Sequence, residues 1–397
     1  MIAHLRDQFN KSVTVEKYNS FVSDLENYAG DSIPFRIAET PVFVPLQLKR
    51  KLVSACNAII DVINRHDFIS LTDRAIPQHL RVPGNEDKPM WLAFDFAVCL
   101  DSNSHLDPQL IEMQGFPSLF FYQHLLASKY REHFDVSEGV SHLFGKTTEE
   151  YIDHMRSLLL NNHNSENVIL LEVAPEKQNT RIDFLATFKN TGIRAVCISK
   201  IIREGRKLFY EHEGKKIPVH RIYNRLIFDE FIKRTDLVCQ YNLTEDVDVE
   251  WAGHPNWFFR VSKFTMPFLN NPFVPETRFL HEVKSIPADL ENYVLKPLFS
   301  FSGSGVVFNV TKSDIENVKD PENWILQRKV NYAPVIKSPD GDVKTEIRML
   351  YSWKTGSEKP ELIINMARLS KGEMIGVKYN KNKTWVGGSV GFFECEK

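Results

Sequence analysis

The residues with types and spacing suited to chemistry fall into two groups that lie far apart in the chain. In the downstream group, YVLKPLFSFSGSGVVF (293–308) carries Lys296 on an apolar run. A loop with Ser302, Gly303, Ser304 and Gly305 follows, then a second apolar run. A lysine beside such a loop suits phosphate, because a point charge joins backbone N–H groups that glycine allows to approach closely. The same run also fits a plain hairpin with a surface lysine, and the motif alone does not separate the two. NWILQRKV (323–330) reads as a strand ending in polar residues. Around Gln327 it is either an ordinary sheet strand or one that offers backbone donors and acceptors to an adenine edge. TEIRMLYSW (345–353) alternates, with Ile347, Met349 and Tyr351 to one side and Glu346, Arg348 and Leu350 to the other. LIINMARLS (362–370) delivers Arg368 in the same way. One strand arginine is usually an exposed ion-pair partner. Two of them beside a lysine–glycine loop suit the charge of a transferring phosphoryl group.

The upstream group is acidic. Asp95 lies in AFDFAV, with Phe94 and Phe96 directed to the opposite face. Glu112 and Gln114 in LIEMQG are two apart, so both project from one face of a strand while Ile111 and Met113 project from the other. Hard oxygen donors of this kind suit magnesium. Taken alone they are weak evidence, because acidic residues on a half-exposed strand are usually solvated.

The elements that must position these groups follow from periodicity. Residues 1–90 read as mainly helical, with Leu48, Leu52, Val53, Cys56, Ile59, Ile60 and Ile63 at helical spacing. Residues 91–165 switch to two strands, Trp91 to Leu100 and Gln109 to Gly115, followed by helices over about 119–130 and 147–160. Residues 166–250 open with a buried strand at 167–173, a helix at 180–190 closed by Gly192, and a strand at 193–199, a βαβ unit. Its turn, APEKQNT, lacks Gly-x-Gly-x-x-Gly, which argues against a dinucleotide site. Lys207 to His220 reads as a hairpin turning at Glu213–Gly214. Residues 254–397 read as α+β with glycine-bearing turns.

With 43% hydrophobic and 25% charged residues among 397, the chain has the composition of a folded globular protein. A formal net charge of -2 provides no general attraction to nucleic acid or to an anionic membrane. No stretch is apolar enough for a membrane span. Five dispersed cysteines (Cys56, Cys99, Cys197, Cys239 and Cys395) show no zinc spacing and fit a reducing, cytoplasmic setting, as does an N-terminus without a secretory apolar core.

Together these motifs resemble the ATP-grasp ligases: a strand lysine, a glycine loop, a polar hinge strand, an acidic-Ile-Arg strand, an Arg-Leu-Ser turn and Gly387–Gly388. In that family's usual order an Asp and a Glu-x-Asn pair follow; here the matching residues, Asp95, Glu112 and Gln114, stand upstream. The order is similar to that of circularly permuted ATP-grasp proteins of the glutathionylspermidine synthase-like branch, over roughly residues 90–397. RIYNR (221–225) and HPNWFFRVSKFTMPFL (254–269) fall in family order too. The resemblance implies an α/β (α+β), circularly permuted ATP-grasp fold with a small pre-ATP-grasp βαβ lobe and an N-terminal helical region.

By the same resemblance, ATP and Mg²⁺ are the expected cofactors. Asp95, Glu112 and Gln114 would hold the metal. Lys263, Lys296, Ser302, Gly303, Ser304, Gly305 and Gln327 would hold the nucleotide. Arg368 and Arg348 would serve the transferred phosphoryl group. The implied reaction joins a small-molecule or peptide carboxylate to an amine through an acyl phosphate. Two departures, Ala93 where the family has arginine and Gln114 where it has asparagine, keep a second reading open: a nucleotide-binding ATP-grasp pseudoenzyme.

Overall fold

A computed structural model describes residues 1–84, 88–299, 305–372, 375, 380 and 382–396. Its central element is a five-stranded antiparallel sheet. In spatial order the strands are Gly387–Ser389, Glu361–Ser370, Lys344–Ser352, Trp91–Leu100 and Leu106–Gln114. The period-2 alternation seen in the sequence divides its faces. Phe94, Phe96, Val98, Leu110, Met113, Ile347, Met349, Tyr351, Ala367 and Leu369 are buried in one apolar cluster. The helix Leu46–Ile63 closes this cluster through Leu48, Leu52, Cys56, Ile59, Ile60 and Ile63. Fully burying an aliphatic side chain of this size contributes about 1.5–3 kcal/mol, so this layer fixes which face is left for polar residues.

The helix at 120–133 (Phe120–His133) is buried on most sides, packed against the N-terminal helix Val15–Ala29, the helix Arg181–Thr191 and the strand Glu361–Ser370. The helix Thr148–Leu160 begins at Thr147, whose side chain forms a reciprocal capping box with Glu150. The expected βαβ unit is present as Val168–Glu172, Arg181–Thr191 and Arg194–Cys197, with Gly192 ending the helix at φ 78°. Its strands belong to a four-stranded parallel sheet in the order Glu250–Trp251, Arg221–Asn224, Val168–Glu172, Arg194–Cys197. The hairpin Lys207–His212/Lys215–Val219 turns at Glu213 and Gly214, both at positive φ. Among the described residues no helix is long and apolar enough to cross a membrane.

Two further features place the downstream motifs. The outer edge of the strand Leu106–Gln114 is covered by the chain at 261–273: Gly115 N–H donates to Val261 at 2.9 Å and Leu110 N–H to Phe273 at 2.8 Å. A Cβ on Gly115 would come within 2.4 Å of the Trp257 carbonyl, so only glycine permits this approach. A separate three-stranded antiparallel sheet, Thr277–Phe279, Trp324–Arg328, Tyr293–Pro297, has Trp324–Arg328 in the middle and carries Lys296 near one end.

Candidate functional site

The register of the central sheet puts charged residues side by side on the face opposite the helix Leu46–Ile63. Glu112 stands opposite Asp95, and Asp95 opposite Arg348; Glu346 stands opposite Arg368. Glu346 and Arg348 are two apart on one strand, so the two rows are adjacent on one face.

Glu112 reaches this face because of a β-bulge. Phe96 pairs with Leu110, but the next residue back, Asp95, pairs with Glu112, leaving Ile111 as the extra residue. Leu110 and Met113 therefore both join the apolar cluster, while Glu112 turns to the Asp95 side. The expected sharing of a face by Glu112 and Gln114 holds, with Gln114 opposite Ala93. The regular alternation expected through Ile111 is broken at the bulge.

Asp95 is 1% exposed, and two guanidinium groups hold it. Arg348 donates from Nε to Oδ1 at 2.5 Å and from Nη2 to Oδ2 at 2.6 Å; Arg368 Nη2 donates to Oδ2 at 2.7 Å. Burial works against the charge of Asp95, but Arg348 and Arg368 outweigh it and keep the carboxyl below its usual range. Arg368 also donates to Glu346, whose other oxygen accepts from Tyr332 Oη at 2.8 Å. Burial and the neighbouring Asp95 push Glu346 up, so of these two carboxyls Glu346 is the one that holds a proton more readily. Arg368 stays charged, since Glu346, Asp95 and Glu112 more than offset its desolvation.

The lysines converge on the same place. Lys263 begins the 3-10 helix Lys263–Phe268 beside the covered strand edge, anchored upstream by buried Arg260, which donates to Ile69 O at 2.7 Å. Lys263 and Lys296 are each half-buried, and both are lowered to about 8. For Lys263 the causes are burial, partly opposed by Glu112, with the Lys296 charge adding to the lowering. For Lys296 burial acts first, opposed by Glu112 and Glu346. Glu112 is thus the acidic group that both lysines and Arg368 feel. Two amines at reduced basicity beside one carboxylate suit a polyanion, whose phosphates would restore their full charge.

Of the two readings open for the Gln327 strand, the structure has the ordinary sheet strand. Gln327 lies in the middle strand of its sheet, paired with both Thr277 and Val294, so its backbone is enclosed by neighbours and does not present an edge to adenine. Its side chain instead fixes Lys296, accepting from Nζ at 2.5 Å and donating to Thr277 Oγ1 at 3.1 Å. Gly305 adopts φ +73°, and a Cβ there would lie 3.0 Å from Pro297 Cγ. Ser302, Gly303 and Ser304 lie outside the described residues.

The sequence reading assigned no role to three participants. Glu346 enters it as a member of an alternating strand and as the acidic residue of the acidic-Ile-Arg motif, with no role of its own. Tyr332 carries no local signal, because its neighbours are irregular chain. Ser118 joins Arg348 to a second buried pair: its Oγ accepts from Arg348 Nη1 at 3.1 Å and its carbonyl from Arg225 Nη1 at 3.0 Å. Arg225 is itself paired with Asp183 at 2.5 Å, and Asp183 accepts the Tyr122 N–H at 3.0 Å.

No family model and no curated protein matches this sequence. A solved structure does match: a glutathione synthetase-like effector from Globodera pallida, in its apo form, is similar over 97% of this chain and 98% of that chain, with a TM-score of 0.60 at 10% identity. The chain therefore has a glutathione synthetase-like fold of mixed α/β type.

Proposed function

We propose that the protein is a circularly permuted ATP-grasp ligase that uses Mg·ATP to join a carboxylate to an amine through an acyl phosphate. The observation that supports it best is the convergence of Glu112, Lys263, Lys296, Arg348 and Arg368 around one polar face. They come from strands and turns scattered over more than half the sequence. A glutathione synthetase-like fold is consistent with this chemistry, which needs a triphosphate neutralised, a carboxylate aligned with the γ-phosphate, and water kept out.

In this reading Lys263 and Lys296 grip the nucleotide phosphates, with Gln327 fixing the Lys296 ammonium in direction. Arg368 and Arg348 stabilise the phosphoryl group as it moves to the carboxylate oxygen, and then the acyl phosphate until an amine attacks its carbonyl carbon and inorganic phosphate leaves. The donor set fits magnesium at the accessible end of the charged row. Glu112 is half-exposed and Gln114 offers an amide oxygen two residues on, the hard oxygen ligands that magnesium combines with phosphate oxygens. When bound there, the ion supplies Lewis-acid neutralisation of phosphate charge.

A second reading, a nucleotide binder that does not ligate, draws on Ala93, Gln114 and the engagement of both arginines with Asp95. ADP release in the presence of Mg·ATP and pools of amino acids, peptides and polyamines separates the two. A ligase releases ADP only with a productive carboxylate and amine. A binder shows nucleotide-dependent thermal stabilisation with no release under any pool. Absence of both signals refutes the nucleotide reading itself.

A further inference from the structure

We propose that Asp95 is the anchor of the site's two arginines and not a ligand of the divalent cation, which leaves Glu112 as the carboxylate that meets the ion. An ionised carboxylate offers about four acceptor positions. Three of those on Asp95 already receive N–H groups from Arg348 and Arg368 at 2.5, 2.6 and 2.7 Å. A small divalent ion entering this 1% exposed position would stand against two fixed guanidiniums, and it demands a strict octahedral shell. Glu346 is no better placed, because one oxygen serves Arg368 and the other Tyr332. Glu112 differs from both. The bulge at Ile111 brings it directly opposite Asp95, yet it is half-exposed at the end of the row, and the cations it influences are lysines and Arg368.

The consequence is a division of labour within one row. Asp95 sets the direction of both guanidiniums before any ligand arrives, holding them on the face where a phosphoryl group would develop charge. Glu112 and Gln114 take the ion. This assignment rests on the nucleotide reading for its second half only, since the anchoring of the arginines is independent of any ligand.

The test compares Asp95→Asn with Glu112→Gln in the full chain by two measurements. One is thermal melting without nucleotide or metal. The other is Mn²⁺ binding by electron paramagnetic resonance with a non-hydrolysable ATP analogue. When the charge of the anchor is removed, Arg348, its side chain 11% exposed, loses its only carboxylate partner among the described residues and Arg368 is left with Glu346 alone, so Asp95→Asn should melt about 4 °C or more below wild type. Adding Arg348→Gln to that variant should recover part of the loss. Its Mn²⁺ affinity should fall by less than about tenfold, the lower bound of an outer-shell change, against about a hundredfold or more for Glu112→Gln. A metal ligand behaves oppositely: removing a carboxylate held for the ion leaves the melting point unchanged or raised, and metal affinity collapses. Either of those results for Asp95→Asn overturns the proposal. Where Asp95→Asn alone does not fold, the double variant carries the metal measurement. A wild type that binds no Mn²⁺–nucleotide refutes the nucleotide reading, and melting still decides whether Asp95 is the anchor.

Discussion

The paired lysines predict how nucleotide affinity should change with pH. Lys263 and Lys296 sit at about 8 in place of the ordinary 10.5, because burial penalises the ammonium more than Glu112 supports it. At pH 7 about nine in ten of each are charged, whereas at pH 9 only about one in ten is. If one ammonium is required, the dissociation constant for Mg·ATP should rise about tenfold per pH unit above 8, or about 1.4 kcal/mol per unit. If both are required the slope approaches about a hundredfold, and because the Lys296 charge lowers Lys263 the two titrations are linked and the slope falls between these limits. The sign for stability is opposite. Folding lowers these two values, so between about 8 and 10.5 the unfolded chain binds more protons, and the ligand-free protein gains stability as pH rises through that window. Isothermal titration calorimetry at pH 7, 8 and 9, in buffers of different ionisation enthalpy, reads both affinity and proton uptake. At pH 9 uptake should be about one proton per nucleotide if one ammonium is required and approach about two if both are. The variant Lys263→Arg/Lys296→Arg, permanently charged, should flatten the profile. A dissociation constant that stays level from pH 7 to 9 in wild type, with no proton uptake, refutes the lysine argument.

Three other outcomes are expected. Glu112→Gln should abolish Mg·ATP turnover while circular dichroism shows an intact fold, and by removing the charge that supports both lysines it should move their titration below about 8; turnover at the wild-type rate sinks the assignment. Asp183→Asn leaves Arg225 buried without its counter-charge, at side-chain exposures of 7% and 1% for the pair, and should cost about 3–5 kcal/mol in denaturant melts, a loss below about 1 kcal/mol counting against it. His124 and His142 face each other at 3.0 Å, and burial lowers them to about 4 and about 3 from the ordinary 6.5. Below pH 6.5 the unfolded chain therefore takes up protons that the folded one refuses, and stability should fall with acid between pH 6.5 and about 3; replacing both with asparagine should flatten that limb, and an unchanged acid transition refutes their part in it.

Much of the local structure was legible because it depends on near neighbours. The amphipathic helix Leu46–Ile63, the Gly192 helix end and the Glu213–Gly214 turn follow from periodicity or from backbone conformations that few residues accept. The two-residue spacing that directs Glu346 and Arg348 to one face belongs to the same class. Boundaries were less legible: the strand expected from Gln109 starts at Leu106, and the helix expected to end near Tyr130 runs to His133.

By itself, then, the sequence determined which residue types each strand carries and which of them share a face. Tertiary structure alone decided which strands lie next to one another. Asp95 meets Arg348 across 253 residues of chain, a pairing that no local pattern contains. The bulge at Ile111 turns Glu112 toward Asp95 only because Leu110 and Met113 can both be buried against Phe96 and Phe94. Gln327 loses its backbone edge because strands pair on both sides of it. Cross-strand register reflects the packing of the whole core, and a one-residue slip sends every side chain to the other face. The chemistry of this site was therefore written in its residues, but its geometry was set by the sheet.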